Sequence, residues 1–267
     1  MKRVAEVSAS QRRLDRSSST GKRLRGRSDF DGARPLRHHA LMSHSVRKHL
    51  DLEIDEYDAT IRRWIPGYER MLEVAAQSIA DVEPDRVVDL GCGTGALSES
   101  ILQHEAVTSV EVLDVDPEMM ERARTRLGRF GDRVVYSLRS FDEPFLACDA
   151  FAASLSLHHI PTIDLKAVLF ARAFKALRPG GVLVNADCCM PAEEAAREPL
   201  FRHWAEHQVR NGVALEQAYA NFRAWAGEDT YLPLEDELTE LRRVGFQAER
   251  VWNDGPIGVV VARKPAD

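Results

Sequence analysis

Two groups of residues in this 267-residue chain have the types and spacing to do chemistry. The first lies in VVDLGCGTGALSES, Val87 to Ser100, where Asp89 precedes Gly91, Gly93 and Gly95. Without Cβ atoms such a turn bends sharply and lets a bulky ligand lie against it, while a helix starting near Ala96 offers free N–H groups. Asp114 follows Gly95 by 19 residues at the end of a second apolar run. A carboxylate there can accept two hydrogen bonds from vicinal ribose hydroxyls. Asp89 is poorly placed for a pyrophosphate but well placed for a cationic amino-acid moiety, so a sulfonium ligand with an α-ammonium group suits it better. Gly91, Gly93 and Ala96 also satisfy the looser dinucleotide pattern, which keeps an NAD-type oxidoreductase as an alternative.

The second group is His158, His159 and Asp187. The histidines follow the apolar run CDAFAASLSL, and Asp187 closes GVLVNADC. If these runs are neighbouring parallel strands, residues beyond their carboxyl ends approach across one spacing of about 5 Å. An aspartate at that distance fixes the imidazole tautomer, raises its basicity and aims the other nitrogen at an acceptor. His158 with Asp187 is therefore the expected catalytic pair for a hydroxyl acceptor, and His159 the structural residue. A nitrogen or carbon acceptor needs no such base.

The elements that must position these residues follow from hydrophobic periodicity. Val46 to Ala80 reads as two helices broken at Ile65 to Gly67, carrying Tyr57 and Tyr68 where they could close over a ligand. Strands are expected at RVVDLG, SVEVLDV, RVVYSL, CDAFAASLSL and GVLVNADC, with helices between them. The helix LEDELTELRRVGF, stopped by Gly245, precedes two strands around the turn DGP, the last antiparallel to its neighbours. This alternation predicts an α/β fold: a doubly wound, mostly parallel seven-stranded sheet with a helical insertion after strand five.

Five divisions result: a disordered basic tail over 1–41 and a single domain over 42–267 made of N-terminal helices (42–82), a cofactor-binding core (83–189), a helical lid insertion (190–230) and a C-terminal helix and strand pair (231–267). The insertion carries Phe201, Trp204, Tyr219, Phe222 and Trp225, which read either as core residues or as the lining of a cavity.

Charge is uneven: residues 1–48 carry 13 basic against 4 acidic side chains, and the remainder 23 against 38. The tail lacks helical periodicity and interleaved aromatics, so its composition reads as disorder. A basic arm for nucleic acid is the less favoured reading, since basic composition alone is a weak signal, and a translation start at Met42 is a further alternative. Cys92, Cys148, Cys188 and Cys189 show no CxxC spacing, so a disulfide framework and a zinc ribbon are excluded, and no metal site is expected. With no apolar stretch of membrane-spanning length and no signal-peptide pattern, the chain reads as cytoplasmic, with no membrane partner and an open oligomeric state.

In order, VVDLGCGTG, VLDVDPEMMERAR, CDAFAASLSLHHIP and LRPGGVLVNAD resemble the class I S-adenosylmethionine-dependent methyltransferases over about Val87 to Asp187. The resemblance implies S-adenosyl-L-methionine as cofactor. It implies that Asp89 and the three glycines hold the methionine end, that Asp114 holds the ribose, that Val115 packs on the adenine, and that backbone around Ser154 and Leu155 flanks the methionyl group. The family often places an acidic residue near the adenine amino group after strand three, a position taken here by Ser140, beside Phe141 and Asp142. It also implies direct methyl transfer to a small-molecule acceptor. The pair His158 and Asp187 is similar to the histidine and aspartate of sugar O-methyltransferases. RRWIPGYERML resembles a segment of the carboxy-S-adenosylmethionine synthases, which act in tRNA wobble-uridine modification and carry serine at the position of Gly93.

Overall fold

The computed structural model describes residues 56–267. The basic tail, the Met42 start and the first part of the expected N-terminal helix lie outside the described residues. Helix α1 spans Tyr57–Trp64 and α2 spans Tyr68–Ala80, separated at Ile65 to Gly67 as the Pro-Gly pair predicts. There follow β1 (Arg86–Leu90), α3 (Ala96–Leu102), β2 (Ser109–Asp114), α4 (Pro117–Leu127), β3 (Val134–Leu138) and β4 (Cys148–Ser154). The chain continues through α5 (Ile163–Ala176), β5 (Leu177–Cys188), α6 (Glu194–Arg210), α7 (Leu215–Trp225) and α8 (Leu234–Val244) to β6 (Gln247–Asp254) and β7 (Ile257–Arg263).

The seven strands form one sheet in the order β3-β2-β1-β4-β5-β7-β6. β7 enters antiparallel between β5 and β6, and the other pairings among the first five strands are parallel. The order reverses between β1 and β4, so the crevice at their carboxyl ends is where a ligand is expected. Two local readings shift. The fifth strand, expected at GVLVNADC, begins earlier, at LRPGG, with Gly180 at φ 80° and an irregular register opposite Cys148 and Ala150. The fourth strand stops at Ser154 because Leu155 turns into the left-handed region, and Leu157–His159 form a single 3-10 turn.

Two-residue alternation along the strands builds a core on each face. Val87, Val110, Val112, Ala152 and Val184 meet α2, α3 and the aromatic side chains of α6 and α7. Val88, Leu90, Leu113, Phe151 and Leu183 meet α5 and α8. Local chemistry sets the helix starts. Asp116 accepts from Glu118 N at 2.8 Å ahead of Pro117, and Thr162 accepts from Leu165 N at 3.3 Å. These are N-cap bonds, which satisfy N–H groups the helix itself leaves unpaired. No helix among the described residues is long and apolar enough to cross a membrane.

Candidate active site

The loops after β1, β2 and β4 and the facing sides of α1 and α2 line a cleft. Asp89, Gly91, Gly93, Asp114, Val115, Phe141, Ser154 and Leu155 all line it. Gly95 and Ser140 do not. A Cβ on Gly95 would face Leu127 at 3.0 Å, so that glycine serves the packing of α3 on α4, and the Ser140 hydroxyl accepts from Asp142 N at 3.0 Å.

Asp89 shares the face of Val87 and is buried. Ser98 Oγ donates to its Oδ2 at 2.5 Å, while Oδ1 has no hydrogen-bond partner. Burial pushes its carboxyl up to about 7, against the opposing bond from Ser98. An orphaned, buried acceptor in a cleft asks for a donor, and a cation most of all. Gly91 and Gly93 have φ values of 69° and 53°. A Cβ on Gly91 would strike Ser156 Cβ at 2.8 Å, whereas one on Gly93 would meet nothing within 4 Å. The surface at Gly93 is thus open to a ligand that approaches the backbone closely.

Asp114 is held rigidly: Oδ2 accepts from Gly93 N and Oδ1 from Asp116 N, each at 2.8 Å. Burial raises its pKa against these bonds. Each oxygen keeps a second lone pair for a hydroxyl donor. Tyr57 and Tyr68 roof the cleft, and burial raises both phenols. Asp58 anchors α1 over the glycine turn by accepting from Thr94 Oγ1 at 2.6 Å and by pairing with Arg126. Thr94, Asp116, Met119, Arg139 and Ser156 also line the cleft, without a distinctive pattern of their own in the sequence.

A second cavity adjoins the first and shares Tyr57, Ile61, Leu155 and His159 with it. His158 Nδ1 lies 2.5 Å from Asp187 Oδ1 at its edge, and Asp187 Oδ2 accepts from His158 N at 2.9 Å. The neighbouring-strand argument therefore places this pair correctly. Burial pushes the His158 imidazole down, but Asp187 outweighs it and the net pKa is raised. For Asp187, burial pushes up, and His158 and Lys166 outweigh it downward.

His159 is not turned away from this site. Its Nδ1 lies 3.3 Å from Asp229 Oδ1, off the hydrogen-bond line, so Asp229 Oδ1 and His159 Nε2 both remain without hydrogen-bond partners. Asp229 Oδ1 is also 3.6 Å from His158 Nε2, and Tyr231 Oη donates to Asp229 Oδ2 at 2.7 Å. Burial pushes Asp229 up, yet the two histidines and Tyr231 hold it at about 2. Asp229 and Tyr231 are the site residues the sequence did not single out. The aromatic residues divide: Trp204 and Trp225 line this cavity with Trp64, whereas Phe201, Tyr219 and Phe222 pack behind them.

The sheet order, the crevice at its switch point and a buried carboxylate beside a glycine turn define an α/β enzyme that grips a cofactor with a ribose and a cationic end. Residues 88–183 match the family model described as Methyltransferase domain. With the relatives and solved structures that follow, this match supports a class I S-adenosylmethionine-dependent methyltransferase, an enzyme whose cofactor is S-adenosylmethionine. The dinucleotide reading is set aside accordingly. The chain is similar to carboxy-S-adenosyl-L-methionine synthases of Aeromonas salmonicida strain A449 (24% identity, covering 74% of this chain and 83% of the relative) and Alteromonas mediterranea (26%, 74% and 84%). Among solved structures, an O-methyltransferase family protein from Burkholderia thailandensis superposes with a TM-score of 0.60 at 16% identity, over 84% of this chain and 61% of that one. Human N-acetylserotonin methyltransferase in complex with S-adenosylmethionine superposes with a TM-score of 0.51 at 18% identity, over 83% and 63%. The chain spans less than two thirds of either structure, and both likenesses are of fold.

Proposed function

We propose that this enzyme methylates a hydroxyl group of a small molecule, with His158 as general base and Asp187 as the residue that orients it. The observation that carries this reading is the 2.5 Å contact between His158 Nδ1 and Asp187 Oδ1 at the edge of a cavity that adjoins the cofactor cleft. When bound, the cofactor supplies a methyl group on a positively charged sulfur, a leaving group already activated. Asp89 Oδ1 receives its ammonium group, Asp114 its ribose hydroxyls, and the bare backbone at Gly91 and Gly93 its bulk. Val115 and Phe141 pack on the adenine, and Ser154 and Leu155 flank the methionyl chain. With Nδ1–H committed to Asp187, His158 Nε2 is the acceptor that takes the proton leaving the acceptor hydroxyl. Trp204 and Trp225 of the insertion of residues 190–230 give this cavity apolar walls, a surrounding that strengthens the electrostatics within.

A second reading, a carboxy-S-adenosylmethionine synthase-like activity, draws support from relatives of that name matched over 74% of the chain. Gly93 favours the first reading, since serine is the residue the synthases carry there. Mass spectrometry of the ligand released from purified protein separates the two: S-adenosylmethionine or S-adenosylhomocysteine supports methyl transfer, and a carboxylated derivative overturns it. A methyl-donor assay against a panel of hydroxylated metabolites then tests the acceptor.

A further inference from the structure

The second cavity has walls and an end of different chemistry. Its walls are indole and aliphatic: Trp64, Trp204 and Trp225 stand with ring centroids 5.2 and 5.6 Å apart along the chain of contacts Trp64–Trp225–Trp204, beside Ile65 and Ile257. These rings have little polar freedom. Trp204 Nε1 donates to Trp64 O at 2.6 Å, which fixes the Trp204 indole, and the Tyr231 hydroxyl is committed to Asp229. Packed on one another, these rings form an aromatic surface on which a planar ring gains from offset and edge-on contacts as well as from apolar burial.

The polar end carries acceptors. His158, oriented by Asp187, offers Nε2. His159, whose Nδ1 faces the Asp229 carboxylate, offers an Nε2 that is buried without a partner. Asp229 Oδ1 has ion-pair contacts to His159 Nδ1 at 3.3 Å and His158 Nε2 at 3.6 Å but no aligned hydrogen bond, and its carboxyl stays ionised. Buried acceptors left unpaired cost stability until a donor reaches them. No lysine or arginine is among the described residues that line the cavity, and Lys166, which acts electrostatically on His158 and Asp187, is bound to Glu237 at 2.5 Å.

We infer that the acceptor is a planar aromatic alcohol of the phenol class that bears no carboxylate or phosphate, selected by an indole-walled cavity whose polar end carries buried acceptors and a net negative charge, two carboxylates against one imidazole paired with Asp187. The inference rests on the reading of this cavity as the acceptor site. A hydroxyl group supplies the missing donor to Asp229 or His159 and lies within reach of His158. An anionic ligand brings further acceptors and a like charge into a site whose one basic group, His158, is already paired with Asp187, a repulsion that discriminates by exclusion.

The test is calorimetric titration of the full chain, saturated with S-adenosylhomocysteine, with 2-naphthol, 2-naphthoate and cyclohexanol at neutral pH. The expected order is 2-naphthol first, with 2-naphthoate weaker by roughly tenfold or more because of the like charge, and cyclohexanol weaker than 2-naphthol. Asp229→Asn, its fold checked by melting temperature and S-adenosylhomocysteine affinity, narrows the gap between naphthol and naphthoate several-fold. Naphthoate binding as tightly as naphthol, or neither aromatic binding to protein that retains S-adenosylhomocysteine affinity, overturns the inference. Discrimination that persists unchanged in Asp229→Asn also overturns it. Naphthol that binds with the expected discrimination but is not methylated counts against His158 as base and supports the acceptor class.

Discussion

Asp89 and Ser98 meet at 2.5 Å in a site closed to solvent, and the contact satisfies one carboxylate oxygen while leaving the other without a partner. Since burial pushes this carboxyl up to about 7, much of it is protonated in the free protein just below neutrality. An ammonium group selects the ionised form. S-adenosylhomocysteine affinity therefore rises as pH climbs from 6 through about 7, and binding releases a proton. Calorimetry in buffers of different ionisation enthalpy reads the proton directly. Asp89→Asn removes both the release and the pH slope, and a slope that survives would remove Asp89 from the ammonium site.

Asp114→Ala weakens S-adenosylhomocysteine binding by about 1–3 kcal/mol, the range for losing hydrogen bonds to a charged group. The same change frees the N–H groups of Gly93 and Asp116, so a loss of melting temperature accompanies it. Unaltered affinity in the calorimeter would take the ribose contact away from this residue.

Gly91→Ala and Gly93→Ala separate fold from ligand. At Gly91 the new methyl group strikes Ser156, so stability falls. At Gly93 nothing stands within 4 Å, and the fold loses only the cost of a left-handed residue, about 1–2 kcal/mol. The methyl group then occupies space meant for the ligand. Gly93→Ala is expected to weaken S-adenosylhomocysteine binding by roughly tenfold or more while shifting the melting temperature less than Gly91→Ala. Equal affinity in the Gly93 variant and wild type would show that no ligand lies against this backbone.

His158→Ala cuts turnover by roughly 10²-fold or more and leaves S-adenosylhomocysteine affinity unchanged. The base works as the neutral imidazole. Asp187 raises its pKa above the ordinary 6.5, so activity rises with pH along a limb lying above that value. Asp187→Asn moves the limb toward acid, which a pH–rate profile detects. Stability has the complementary dependence. The contribution of His158 is complete below 6.5 and fades as pH rises through its raised pKa, and that of Asp187 is lost only as pH falls through its lowered one. A limb unmoved by Asp187→Asn would deny the coupling.

Lys166 and Glu237 form an ion pair at 2.5 Å with side chains 0% and 1% exposed. Removing one partner leaves an uncompensated buried charge, so Lys166→Met costs about 3–5 kcal/mol. Lys166→Met with Glu237→Leu recovers most of that loss, because an apolar pair avoids the desolvation of both ions. Urea denaturation measures both. A double variant no more stable than the single one would mean that the pair contributes through packing alone.

The histidine–aspartate contact was legible because it depends on strand adjacency, which the β-α alternation fixes before any side chain is placed. Asp89 and Asp114 were legible for the same reason: each sits at the carboxyl end of a strand beside the switch in strand order. Asp229 was not. It reaches the histidines because the segment after α7 docks on the turn after β4, where Thr230 N donates to His158 O at 2.8 Å. That bond joins positions 72 apart in the chain, and no local period records it. Lys166 and Glu237 were hidden in another way, since a charge on an amphipathic helix normally belongs to its solvated face.

Leu155 is a bulky residue at φ 50°, held there as its N–H donates to Ala186 O at 2.9 Å, with its side chain facing both cavities. Such backbone costs of order 1–3 kcal/mol, and glycine adopts it with ease. Leu155→Gly would relieve that strain but give up the leucine's packing against the core, so the change would open the two cavities into one another with no gain in heat resistance.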